Sequence, residues 1–382
     1  MLKKTERTDT VKKVLFVFGT RPEAIKMAPV IKKFYEKNGI VETKICVTAQ
    51  HREMLDNVLG VFDIKPDYDL DIMKENQDLF DITAAIITGM KQVLSECRPD
   101  LVFVHGDTST TFCASLAAYY SQIPVAHIEA GLRTGNIYSP FPEEVNRLLT
   151  GRIASWHFAP TESARGNLMA EGTASDRIFV TGNTVIDALL RISAESETDS
   201  CPIDGYEITD RKIILVTGHR RESFGEGFEN ICLAIRELSG KYPDTDIVYP
   251  VHLNPNVQRP VNSMLSGVKN IHLIKPLDYR PFIRLMKASH IILTDSGGIQ
   301  EEAPSLNKPV VVMRDVTERH EAVSAGTAVL AGSGRERIVS SVSELMENHD
   351  RYKSVASSAN PYGSGNASDI IFDVVKRIVL NI

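Results

Sequence analysis

The chain has 382 residues, 43% of them hydrophobic and 24% charged, with a formal net charge of −6. Single cores stop growing at roughly 250–300 residues, so two domains are the default expectation, and the composition is that of a soluble globular protein. The acidic balance excludes a general attraction to nucleic acid or an anionic membrane, so a polyanionic ligand has to be held by a local arrangement of donors.

In chain order, residues 1–13 are polar and mixed in charge, and the apolar run after them, Val14–Phe18, is too short for a signal-peptide core. Nothing approaches the ~18–20 apolar residues of a membrane span. Short Val- and Ile-rich runs then recur at Lys44–Val47, Leu101–Val104, Val125–Ile128, Trp156–Ala159 and Ile178–Val180. A second series follows at Ile213–Val216, Ile247–Tyr249, Ile271–Ile274, Ile291–Leu293, Val310–Met313 and Ala328–Leu330. Such runs read as strands buried on both faces. Helical periodicity falls between them at Ala24–Tyr35, Leu79–Leu94, Thr110–Tyr120, Glu143–Thr150, Phe228–Ser239 and Arg280–Lys287. The alternation predicts an α/β protein of two Rossmann-like domains, six parallel strands in each, over residues 1–190 and 191–366. The weakest patterning, about 190–211, marks a hinge. A last helix, about 367–382, is expected to pack back on the first domain. The cysteines, Cys46, Cys97, Cys113, Cys201 and Cys232, are odd in number and form no C-x-x-C, which fits reduced, buried thiols in a cytosolic protein.

Ligands of open parallel sheets bind outside the carboxyl ends of the strands. Arg21, Asp107 and Glu129 follow the first, third and fourth strands, and His219, His252 and Asp295-Ser296 follow strands of the second half. If the two carboxyl edges face each other, these residues line one cleft. In T294-D-S-G-G-I-Q-E-E-A-P, Ser296, Gly297 and Gly298 sit where a strand turns into a helix. Free N–H groups and glycine's close approach suit a phosphate there, and Glu302 lies within reach of a ribose diol. The segment G218-H-R-R groups one His and two Arg, the donors a diphosphate needs. Asp107, Glu129 and Glu143 together point to acid–base work, because crowding and burial separate carboxyl pKa values, although Asp107 alone could be a helix cap. Glu144 would point elsewhere on a helix. No G-x-G-x-x-G, P-loop or H-E-x-x-H is present and no His pair has ligand spacing, so neither a dinucleotide cofactor nor a metal is indicated.

The segments F18-G-T-R-P-E-A-I-K-M-A-P, T48-A-Q-H-R-E-M-L-D, V104-H-G-D-T, H127-I-E-A-G-L-R-T-G, S139-P-F-P-E-E, V180-T-G-N-T-V-I-D-A-L, V216-T-G-H-R-R-E-S-F-G and T294-D-S-G-G-I-Q-E-E-A-P resemble the non-hydrolysing UDP-N-acetylglucosamine 2-epimerases, over nearly the whole chain. The resemblance implies a glycosyltransferase-B type fold with the substrate in a central cleft. It implies reversible conversion of UDP-N-acetylglucosamine to UDP-N-acetylmannosamine, by elimination of UDP to 2-acetamidoglucal and its re-addition, with no cofactor. It assigns Asp107, Glu129, Glu143 and His219 to catalysis. It assigns Arg21, Lys26, Ser296, Gly297, Gly298, Glu302 and Arg319 to the nucleotide diphosphate, and Phe282 to the uracil. Gln50, Gln77 and His252 match parts of a regulatory substrate site, but Asn76 stands where an Arg is expected. His320 replaces a Pro, and Leu277 a Gln, found in other members. The expected setting is a cytoplasmic homodimer whose partner is a UDP-N-acetylhexosamine, with no nucleic acid and no membrane. The rival readings are a hydrolysing 2-epimerase, a glycosyltransferase of the same fold, and a catalytically silent nucleotide-sugar sensor, which retention of the whole catalytic set disfavours.

Overall fold

The structure, a computed structural model, describes residues 11–37, 39–49, 52–74, 76–195, 202–220 and 224–379. Its contacts divide the chain into two compact units, residues 1–188 with 365–382, and residues 189–364.

The first unit runs β1 (Lys12–Phe18), α1 (Arg21–Glu36), β2 (Val41–Val47), α2 (Arg52–Val61), β3 (Tyr68–Asp69), α3 (Leu79–Cys97), β4 (Leu101–His105), α4 (Ser109–Tyr120), β5 (Val125–Ile128), α5 (Glu143–Ile153), β6 (Trp156–Ala159), α6 (Glu162–Ala170), β7 (Ile178–Val180) and α7 (Thr184–Glu195). Its seven strands are parallel in the order β3-β2-β1-β4-β5-β6-β7. Val14 to Phe18 and Leu101 to Val104 are fully buried, as a strand covered by helices on both faces requires. The expected six strands become seven because β3, two residues long, adds an edge beside Cys46 and Val47.

The second unit runs β8 (Lys212–Thr217), α8 (Glu226–Lys241), β9 (Thr245–Pro250), α9 (Pro255–Leu265), β10 (Ile271–Ile274), α10 (Tyr279–Ala288), β11 (Ile291–Thr294), α11 (Gly297–Glu302), β12 (Val310–Val312), α12 (His320–Ser324), β13 (Ala328–Leu330), α13 (Arg335–Glu347) and α14 (His349–Ala356). Its six parallel strands take the order β10-β9-β8-β11-β12-β13. In each sheet the first strand of the unit, β1 or β8, sits beside β4 or β11, and the chain winds outward in opposite directions from that pair. This topological switch point is where a doubly wound sheet opens a crevice at its carboxyl edge.

The unpatterned stretch at 190–211 is helical at its start, since α7 continues to Glu195, and residues 196–201 lie outside the described ones. The last helix, α15 (Ala367–Val374), belongs to the first unit. Phe372 packs edge-on against Phe34 of α1 at 5.0 Å, and Asp369 pairs with Lys33. The N–H groups of Ala367 and Ser368 donate to the Asp187 carboxylate of α7 (3.2 and 2.8 Å), so a neighbouring helix caps the one that returns.

Candidate active site

In the first unit, the loops after β1 and β4 are tied together by one buried carboxylate. Glu23 accepts from the Gly19 and Thr20 N–H groups (3.0 and 2.8 Å) and from the Thr108 and Thr111 hydroxyls (2.6 and 3.1 Å). Burial pushes its carboxyl up while these hydrogen bonds oppose the shift. Thr108 caps α4 through the Thr111 N–H at 3.2 Å, so Asp107 is not the helix cap that its position allowed.

Asp107 is held from α5. Asn146 Nδ2 donates to its carbonyl at 3.0 Å, and Arg147 Nη2 donates to its carboxylate at 2.7 Å. Burial raises its carboxyl to about 6, against the pull of the Arg147 guanidinium, with the charges of Glu129 and Glu143 adding to the rise. Glu143 is the first residue of α5, where the helical period begins in the sequence. Glu144 turns away and is buried, accepting from the Thr134 and Gly135 N–H groups (3.1 and 3.0 Å) and facing Arg147 Nη1 at 3.3 Å. Glu129 follows β5 with φ 59°, a left-handed backbone that costs a side-chain-bearing residue ~1–2 kcal/mol. Such strain persists only where the surroundings fix it. Here the carboxylate is gripped by Lys26 of α1 and by Asn183 Nδ2 at 2.9 Å. Arg21 opens α1 on the same sheet edge. Gln77 donates to the Ile72 carbonyl (2.7 Å) and accepts from the Lys74 N–H (2.8 Å) just before α3, whereas Gln50 lies outside the described residues.

In the second unit, the switch point between β8 and β11 gathers another set. Asp295 is fully buried, and one carboxylate oxygen accepts from the His219 and Arg220 N–H groups (2.7 and 2.8 Å). Its other oxygen lies 3.6 Å from His219 Nδ1. The His219 ring stacks on His252 at 5.3 Å, and burial and the His219 charge lower the His252 pKa. Ser296 precedes α11, with Gly297 and Gly298 as its first two residues and Glu302 as its last. A Cβ on Gly297 would meet the Arg319 guanidinium at 3.4 Å, so the missing side chain lets that cation lie on the start of the helix. Glu301, buried, accepts from Arg319 Nε at 2.7 Å and aims it. A Cβ on Gly298 would lie 3.8 Å from Glu302 Oε1, so the Glu302 carboxylate folds back over the start of α11. Phe282 is half-buried on α10. Arg221 lies outside the described residues.

Residues 33–376 match the family model described as UDP-N-acetylglucosamine 2-epimerase. The chain belongs to the UDP-N-acetylglucosamine 2-epimerase family. An Escherichia coli (strain K12) UDP-N-acetylglucosamine 2-epimerase is 56% identical over 371 residues, which span 96% of this chain and 98% of the relative. A Neisseria meningitidis UDP-GlcNAc 2-epimerase bound to UDP-GlcNAc matches with a TM-score of 0.88 at 55% identity, covering 96% of this chain and 100% of that one. A Methanocaldococcus jannaschii UDP-GlcNAc 2-epimerase in complex with UDP-GlcNAc and UDP matches with a TM-score of 0.79 at 34% identity, covering 96% and 99%.

Within this epimerase-family chain, Asp107, Glu129 and Glu143 share the carboxyl edge of the first sheet, with Arg21 and Lys26. His219, His252, Ser296, Gly297, Gly298, Glu302 and Arg319 share that of the second. Lys26 is engaged with Glu129. Sequence reading passed over the residues that hold these groups: Glu23, Arg147, Asn183 and Glu301, with no role given to Asp295. One signal was available for Arg147, which lies one turn after Glu143 and so falls on the same helix face.

Proposed function

We propose that the protein interconverts UDP-N-acetylglucosamine and UDP-N-acetylmannosamine without hydrolysis. A base takes the C2 proton, its electron pair forms the C1–C2 double bond, and the C1–oxygen bond breaks to release UDP and leave 2-acetamidoglucal. Re-addition returns a proton to the opposite face of C2 while a UDP oxygen attacks C1. Proton transfer on two faces requires two acid–base groups, and Asp107, Glu129 and Glu143 supply the candidates. The observation that carries the reading is three carboxylates, Asp107, Glu129 and Glu143, at one sheet edge, with burial and the other two charges raising the carboxyl of Asp107. A group titrating close to neutrality both takes and returns a proton with little penalty.

The second unit's set suits the nucleotide. Arg319, His219 and the N–H groups of Gly297 and Gly298 would hold the diphosphate and stabilise the charge of departing UDP. Glu302 would take the ribose diol and Phe282 the uracil, with Arg21 and Ser296 on the phosphates. We assign Lys26 to fixing Glu129. His252, stacked on His219, would report occupancy of a regulatory site to the catalytic ring. The proposed setting is a cytoplasmic homodimer. The exposed Tyr119 and Tyr120 at the end of α4 supply an apolar surface for a second copy, and Cys46, Cys97, Cys113 and Cys232 are buried free thiols. No described helix is long and apolar enough to cross a membrane.

A proton NMR time course with UDP-N-acetylglucosamine in D2O tests the reaction. The expected product is UDP-N-acetylmannosamine carrying deuterium at C2. Epimerised product with full C2 protium would overturn elimination, and accumulation of free N-acetylmannosamine with UDP would identify a hydrolysing enzyme.

A further inference from the structure

We infer that Arg147 is a positioning residue of this reaction, holding Asp107 by one carboxylate oxygen and leaving the other to the substrate; the inference rests on the epimerase reading above. Arg147 Nη2 donates to Asp107 Oδ2 at 2.7 Å, and Nη1 lies 3.3 Å from Glu144 Oε2. Glu144 is itself anchored on the N–H groups of Thr134 and Gly135. The guanidinium is therefore fixed from both sides, and its fork sets the direction of the Asp107 carboxylate as a single ammonium could not. Asn146 holds the Asp107 carbonyl from the same helix, so α5 fixes both the main chain and the side chain of Asp107 while presenting Glu143 one turn earlier.

Exposure separates the roles of the pair. The Arg147 side chain is 11% exposed and that of Asp107 29%, so the arginine lies behind the carboxylate. Arg147 Nε is buried without a hydrogen-bond partner, and no hydrogen bond to Asp107 Oδ1 forms among the described residues. A buried donor left unsatisfied is a cost, tolerated here by an arginine whose other two nitrogens face two carboxylates. The charged groups facing Asp107 are Arg147 and Glu143 from α5, Glu129 beyond β5 and Lys26 from α1. Lys26 is paired with Glu129, which leaves Arg147 as the cation in contact with Asp107. Removing it leaves Asp107 among like charges, which favours the protonated acid.

Arg147→Gln and Arg147→Lys in the full chain test this. Two readouts apply: kcat and KM for UDP-N-acetylglucosamine from pH 5.5 to 9.5, and NMR titration of 13C-carboxyl-labelled aspartate, with Asp107→Asn identifying the resonance. In the Gln variant the Asp107 midpoint is expected to rise by about one pH unit or more, carrying the kinetic limb near pH 6 with it. Its kcat should fall roughly tenfold or more with KM changed less than about threefold, the pattern of a lost acid–base alignment. The Lys variant, which keeps the charge but not the fork, should hold the midpoint within about half a unit and recover part of kcat. An unmoved Asp107 midpoint with parallel pH profiles and a uniform loss would reduce Arg147 to a structural anchor and overturn the inference. If the Gln variant does not fold, wild-type kcat in the Lys variant overturns it. A wild type that does not epimerise would sink the functional reading instead, while the NMR titration would still report on the hold of Arg147 over Asp107.

Discussion

The Lys26–Glu129 pair gives the sharpest stability test of the site. Both side chains are mostly buried, 13% and 11% exposed, and they join residues 103 apart in sequence. At an effective dielectric near 20, the gross attraction of a contact ion pair is about 5 kcal/mol, and desolvation of both charges cancels most of it. Removing one partner is different, because the survivor keeps its desolvation and loses its compensation, at a cost of about 3–5 kcal/mol. Asn183 still donates to Glu129 at 2.9 Å and some water reaches the pair, so Lys26→Met should sit at the low end, about 3 kcal/mol. For a unit of roughly 200 residues that lowers Tm by about 6–12 °C. Calorimetry on Lys26→Met, Glu129→Gln and the double variant measures the coupling, expected at about 2 kcal/mol in favour of the pair. Single-variant costs that add to within about 0.5 kcal/mol would refute the reasoning, since the two charges would then not depend on each other.

Asp107→Asn, Glu129→Gln and Glu143→Gln should each lower turnover by about 10²–10⁴-fold, with UDP affinity by calorimetry nearly unchanged; collapse of UDP binding in a folded variant would show that these groups do not face the sugar. Asp295→Asn should lower kcat by roughly tenfold or more, because an amide facing His219 Nδ1 at 3.6 Å favours the opposite tautomer; an unchanged pH–rate profile would deny Asp295 that role. His105, His127 and His157 are buried with pKa values lowered by desolvation to about 4, 3 and 4. Their unfolded-state pKa is near 6.5, so the unfolded chain takes up protons first and stability is lost as pH falls from about 6.5 toward 4, at up to ~1.4 kcal/mol per pH unit for each. Urea midpoints that stay flat from pH 7 to 5 would contradict this, and the Asp107 carboxyl at about 6, raised on folding, offsets only part of it.

Much of this architecture was legible because its signals are local. Val14–Phe18, Leu101–Val104 and Ile291–Leu293 are short apolar runs rich in β-branched residues, the pattern of buried strands, and each is followed within two residues by a polar residue at the carboxyl edge. The edge strand β3 was invisible, since two residues, Tyr68 and Asp69, carry no period. α9 was hidden by Pro260 in its interior and α12 is too short for any periodicity to develop, whereas α11, equally short, is marked by the Ser-Gly-Gly turn that opens it. The holding residues escaped for a different reason. Glu23 reads as the ordinary third position of a helix after Thr20, yet its partners Thr108 and Thr111 come from the cap and first turn of α4, 85 or more residues away. The pairing of Lys26 with Glu129, and of Arg319 with Glu301, is likewise a consequence of strand order, which no local spacing encodes.

His320 is the position where that local grammar makes a testable statement. Arg319 is the residue before α12, with φ −103° and ψ 53°, and His320 is the first helical residue and exposed. The first helical position is the one that accepts proline, since its N–H has no acceptor within the helix, and none is found for His320 among the described residues. His320→Pro should therefore fold and lose no backbone hydrogen bond, with stability unchanged or raised by up to ~1 kcal/mol through the stiffer unfolded chain. The cost falls on Arg319. A residue before proline is pushed toward ψ of roughly 120–160°, away from its present value, and this residue lays its guanidinium on Gly297 and bonds Glu301 at 2.7 Å. Glu301 and the Thr317 hydroxyl, which takes the Arg319 N–H at 3.1 Å, restrain that rotation. UDP affinity is thus expected to change by no more than about threefold, or ~0.7 kcal/mol. Calorimetric titration with UDP from pH 5.5 to 8 on the wild type, His320→Pro and His320→Ala decides between geometry and charge. A loss beyond about tenfold in the Pro variant alone would show that the Arg319 backbone angle controls the nucleotide. An affinity step near the histidine range, present in the wild type and missing from both variants, would instead make the imidazolium charge of His320 a phosphate ligand and overturn the reading that His320 only stands in for a proline.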